Sequence, residues 1–221
     1  MEHGVPMILA SAIDALYAAF ADVPRPRRID GCPCCMDRKV SAALHTKRLR
    51  ELTPDELSDY ASSALLTVGT IADYLYFLPR ILEISANHGN WWPDPAVTGR
   101  VISDTDLSSW PVRRRQALED FLRALMEDLL SRADGVYEMD GWMCAIARMG
   151  LDVGPFLDLI AMSEDRILAW YDENEGAIHR GRLSNSFWEL PNEGQDRIVA
   201  WFERPPASEV IHRAYGVVFA G

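Results

Sequence analysis

Apolar residues recur along this chain at helical spacing, while short alternating runs are scarce. Leu57, Tyr60, Ala61, Ala64, Leu65 and Val68 fall at the i, i+3, i+4, i+7 positions that line one face of an α-helix. Thr53-Pro54-Asp55-Glu56 reads as its start, with Thr53 as N-cap, Pro54 at the first helical position and Glu56 closing a capping box. After Gly69 a second stripe runs through Ile71, Tyr74, Leu75, Leu78 and Leu82. Pro79 lies inside that stripe, and its missing amide donor predicts a kink or a fresh start. A third helix is expected from about Ser109 to Arg132, opened near Pro111 and burying Leu118, Phe121, Leu122, Leu125 and Leu129. Shorter helices are predicted near residues 8–22, 39–51, 138–149, 155–173, 191–203 and 206–215.

Pro54, Pro111, Pro155, Pro191 and Pro206 each precede an apolar periodic run, as expected of proline at the first turn of a helix. Strand signals are confined to Gly99–Ile102 and Val217–Phe219. The pattern predicts an all-α fold: an irregular multi-helix bundle of antiparallel helical hairpins, with a HEAT-like stacking as the alternative. No consensus repeats at a fixed period, which favours the bundle. A chain of 221 residues is read as one domain, 1–221, with residues 24–38 a Pro-, Arg- and Cys-rich loop between the first two helices.

Charge is distributed unevenly. The net charge is -11, yet residues 25–50 carry eight basic side chains against Asp30 and Asp37. An acidic body argues against nucleic acid and for a basic partner or plain solubility. No run of about 18 apolar residues exists, so no membrane span is expected. The N-terminal region lacks the basic start of a signal peptide, and the expected location is the cytoplasm.

Chemistry concentrates at Cys32-Pro33-Cys34-Cys35 in the basic stretch. Neighbouring cysteines cannot brace distant parts of a fold, so a disulfide framework is excluded. Three readings stay open. The Cys32 and Cys35 pair resembles half of a zinc knuckle, with His45 the nearest further ligand and a distant fourth still needed. The Cys-Pro-x-Cys turn also resembles that of thiol oxidoreductases, giving Cys32, Cys34 and Cys35 a redox role with nearby arginines favouring thiolate. No strand pattern precedes it, as those enzymes require. The third reading makes the cysteines small buried fillers of a turn.

Other features are weaker. Arg113-Arg114-Arg115 cannot form one flat basic patch, because successive helical residues point about 100° apart. Trp91-Trp92-Pro93-Asp94-Pro95 is a stiff aromatic loop whose Trp91 and Trp92 either plug the end of a bundle or present an interface anchor. His179-Arg180-Gly181-Arg182 and Ser163-Glu164-Asp165 hold catalytic residue types without a catalytic arrangement, and Glu173 with Glu175 is read as a solvated loop pair. No nucleophile elbow, zincin, P-loop or dinucleotide motif is present, which lowers the expectation of an enzyme.

Gly31-Cys32-Pro33-Cys34-Cys35, Leu49 to Tyr60, and Phe77-Leu78-Pro79-Arg80-Ile81-Leu82-Glu83 together resemble a family of uncharacterised all-helical bacterial proteins over residues 30–84. The resemblance implies a cytoplasmic helical protein and brings no activity with it. The Leu78-Pro79-x-x-Leu82 turn is also similar to helices of HEAT-like adaptors. The expected function is that of a non-enzymatic cytoplasmic protein-binding protein, either an adaptor or an immunity-type antagonist of a basic partner. The alternative is a zinc-binding or thiol-redox protein using Cys32 and Cys35.

Overall fold

The computed structural model describes residues 7–31, 38–188 and 192–219. Among them eleven α-helices and two 3₁₀ turns form, and no strand, so the chain is all-α. It divides into two compact units, Met1–Leu125 and Met126–Gly221.

The first unit holds α1 (Met7–Ala19), α2 (Arg38–Thr46), α3 (Pro54–Ser63), α4 (Ile71–Asn87), α5 (Pro95–Ser103) and most of α6 (Val112–Ser131). α3 begins as its sequence dictates: Glu56 N–H donates to Thr53 Oγ1 at 3.3 Å, and Thr53 N–H donates to Glu56 Oε2 at 3.0 Å. It stops five residues short of Val68, the end of the expected stripe. Leu65 takes a left-handed φ of 60°, its N–H donates to Val68 O at 3.0 Å, and Gly69 follows at φ 72°. The stripe stays useful beyond the helix, since Ala64 and Val68 remain buried.

α4 repeats the device, with Thr70 and Asp73 forming a capping box. It runs through Pro79 without ending, so proline here starts no new helix. Its buried face, Tyr74, Phe77, Leu78, Ile81 and Leu82, packs on α1 and α3. Fully burying each such side chain contributes about 1.5–3 kcal/mol, which outweighs one missing helical hydrogen bond of about 1 kcal/mol.

Gly99–Ile102, a strand candidate from its sequence, is helical in α5. Asp94 caps that helix, Oδ1 accepting from Ala96 N–H at 2.8 Å, and Pro95 fills the first turn. The cap and proline outweigh the short β-branched run, whose Val101 and Ile102 are both buried. Val217–Phe219, the other candidate, forms no strand either.

The second unit contains the end of α6, then α7 (Val136–Arg148), α8 (Gly154–Ile160), α9 (Glu164–Ile178), α10 (Glu193–Phe202) and α11 (Ala207–Tyr215). The expected helix over 155–173 is two helices, broken at Ala161–Ser163. Glu173 and Glu175, expected in a loop, are exposed on α9. α9 packs on α11 and α7, and α10 packs on α7, α11 and α9. Trp142, Trp170, Tyr171 and Phe202 fill the space between these helices, with Trp170 and Phe202 ring centres 5.0 Å apart. α10 approaches α7 closely because residue 194 is glycine: a Cβ there would stand 2.5 Å from the Ala147 Cβ.

Candidate functional site

Cys32, Cys34 and Cys35 lie outside the described residues. His45, on α2, is half-buried, and its Nδ1 is buried with no partner among the described residues. Among those residues no group of three His, Cys, Asp or Glu side chains is placed to share a metal. Cys144 is buried on α7.

Several charges of the basic stretch are spent internally. Arg25 donates to the carbonyls of Leu44 and Lys47, Arg28 pairs with Asp30 at 2.7 Å, Lys47 with Glu56 at 2.5 Å, and Arg50 with Asp14. The triple arginine run is likewise divided. Arg113 and Arg114 both pair with Asp22, at 2.5 and 2.9 Å, while Arg115 donates to Ser108 O at 3.1 Å.

The Trp91-Trp92 loop treats its two indoles differently. Trp91 is half-buried, its Nε1–H donating to Pro54 O at 3.0 Å and its backbone N–H to His88 O at 2.8 Å. The indole bond ties the loop to the first turn of α3, the backbone bond ties it to the end of α4, and the Asp94 cap ties its far end to α5. Trp92, between the two anchors, is 53% exposed. Trp91 is thus held against α3, while Trp92 lies at the surface. Asp55 follows the Pro54 acceptor directly and is exposed, as is Asp59 one turn on.

The second unit holds a polar centre that no motif announced. Asp140 of α7 is buried and accepts Trp170 Nε1–H at 2.8 Å. Loss of hydration raises its pKa above the ordinary carboxylate value, and the Trp170 indole with the Asn185 and Asn174 side chains opposes the rise. Glu173, exposed yet on the same stretch of α9, is also raised, by partial loss of hydration at its carboxyl first and then by repulsion from Asp140.

Asn174, with Gln195 and Arg148, also holds the loop after α9. Asn174 Oδ1 accepts from Ser184 N–H at 2.8 Å, Gln195 Oε1 accepts from Leu183 N–H at 2.9 Å, and Arg148 Nη1 donates to Phe187 O at 3.2 Å. The loop thereby walls a hollow of about 370 Å³ whose lining includes Arg180, Arg182, Ser184, Asn185, Trp188 and Gln195. Arg180 and Arg182, set aside for lacking a catalytic arrangement, are thus placed beside buried donors from elsewhere in the chain. One signal was available in the sequence: Asp140 and Asn174 sit on the apolar faces of their helices, at positions where a polar residue requires a partner.

No family model, curated protein or solved structure matches this chain. What it does is argued from its own side chains.

Proposed function

We propose that the chain is a non-enzymatic cytoplasmic protein-binding protein, an adaptor or immunity-type antagonist, that engages a basic partner through the Trp91-Trp92 loop. The observation that carries this reading is the exposure of Trp92 between two fixed points, Trp91 on Pro54 O and the Asp94 cap. A large aromatic held out on a braced loop loses little conformational freedom on binding, which is what makes tryptophan an interface anchor. Acidic groups at the adjoining start of α3, Asp55 and Asp59, favour a positively charged partner, and a guanidinium stacked on an indole adds a cation–π attraction. The -11 net charge extends that preference over the whole surface and speeds encounter at low salt. The test is affinity capture from lysate at low salt with the native chain and with Trp92→Ala. A stoichiometric basic protein retained only by the native chain, and released by salt, supports the reading. No stoichiometric partner, or equal retention by both, sinks it.

A second reading, zinc or thiol chemistry at Cys32 and Cys35, keeps one observation in its favour. His45 Nδ1 is a buried ring nitrogen without a partner among the described residues, and a thiolate-bound zinc would accept it as a ligand.

A further inference from the structure

The hollow after α9 is lined on every polar side by groups that donate. Gln195 has its Oε1 committed to Leu183 N–H, which fixes the amide orientation and leaves Nε2 as the free end. That nitrogen is buried and unpaired, and the residue is 1% exposed. Trp188 Nε1–H is a second buried donor with no partner, on a residue 8% exposed. Neither nitrogen accepts a hydrogen bond, and each unmet buried donor costs about 1–3 kcal/mol.

Arg180 and Arg182 add two guanidinium groups, both exposed and neither ion-paired among the described residues. Ser184 and Ser186 contribute hydroxyls. Among the described residues no carboxylate lines the hollow: Asp140 accepts the Trp170 indole, and Glu193 and Asp196, on the first turn of α10, are outside the lining. In a chain of net charge -11, a wall that carries two guanidinium groups and two unpaired buried N–H donors favours the opposite of what the rest of the surface attracts.

We propose that this hollow binds a small organic anion by its phosphate or carboxylate group. The two arginine forks match the paired oxygens of either group, and Gln195 Nε2 and Trp188 Nε1 supply fixed donors that orient it. At about 370 Å³ the hollow is near the small end of ligand sites, which run from about 300 to 1,000 Å³, so the ligand is of simple metabolite size. This site belongs to the second unit and stands independently of the Trp92 loop.

The test is a ¹⁵N-resolved titration of the full chain, following the Trp188 indole and Gln195 side-chain amide signals, with the indole assigned through Trp188→Phe. Inorganic phosphate, glycerol 3-phosphate and citrate are added separately, with sodium chloride at matched ionic strength as control. Both signals are expected to move saturably with a phosphate or carboxylate probe and not with chloride, and the arm that saturates at the lower concentration assigns the head group. The double variant Arg180→Gln/Arg182→Gln, at exposed positions, is expected to keep its fold and weaken binding at least tenfold. Signals that stay still in every arm, that move equally with chloride, or that respond unchanged in the double variant overturn the proposal.

Discussion

The indole of Trp170 donates from Nε1 to Oδ1 of Asp140 at 2.8 Å, joining α9 to α7 through a buried charge-bearing group. The Asn185 and Asn174 side chains also favour the charged form of this carboxylate. Asp140→Asn replaces one of its two acceptor oxygens by a donor inside the buried centre. It is therefore expected to cost about 1–3 kcal/mol in urea unfolding at mildly acidic pH. The pH dependence has a definite sign. Asp140 has its folded pKa raised above 3.8, so its contribution is complete below about pH 4 and is lost as pH rises through the folded value. The stability gap between native chain and variant should narrow upward from there, and a gap constant from about pH 4 to pH 7 contradicts this account.

A second relay joins three helical segments of the first unit. Arg80 gives Nε and Nη2 to Leu52 O at 2.9 and 2.8 Å and Nη1 to Glu83 Oε2 at 2.6 Å, and Glu83 accepts Tyr17 O–H at 2.5 Å. Both charged side chains are less than a fifth exposed. Arg80→Leu strands Leu52 O and Glu83 together and is expected to cost about 3 kcal/mol. Adding Glu83→Gln should return part of that loss, measurable as coupling in a double-mutant cycle. Arg28→Ala, breaking a pair whose side chains are 85% and 76% exposed, should leave stability unchanged within error.

Two glycines predict opposite signs. Gly194→Ala drives a methyl to 2.5 Å from Ala147 Cβ, so α10 must lift from α7, at an expected cost of about 1–3 kcal/mol. Gly176→Ala in α9 meets nothing within 4 Å and should stabilise by about 0.5–1 kcal/mol through helix propensity. Thermal unfolding of both variants decides, and a shift of the same sign in the two contradicts the packing described here.

Zinc at Cys32 and Cys35 is decided by elemental analysis of reduced protein with a count of alkylated thiols. The metal reading expects near-stoichiometric zinc that Cys32→Ser removes and Cys144→Ser leaves in place, because Cys144 is buried within α7. Metal-free protein with Cys32 freely alkylated ends it.

The start of α3 was legible because a capping box is a local contract: Thr53 with Glu56 satisfies backbone donors three residues apart, whatever surrounds them. The buried face of α6 was legible for the same reason, as periodicity alone places Leu118, Phe121, Leu122, Leu125 and Leu129 on one side. The end of α3 was less legible, since Leu65 accepts a left-handed conformation within a turn whose Gly69 N–H is bonded to Asp30 O at 2.7 Å. Continuation of α4 through Pro79 likewise rests on the packing of its neighbours. The hollow after α9 lay further still from view. Asp140, Asn174 and Gln195 are separated along the chain by 34 and 21 residues, and no short motif links them. The sequence by itself determined the all-α class, the start of α3 and the apolar faces of helices such as α6, because those follow from hydrogen bonds and burial over a few residues. Only the tertiary structure decided which polar residues share a buried centre and which donors are left unpaired, because desolvation depends on neighbours brought together from distant parts of the chain.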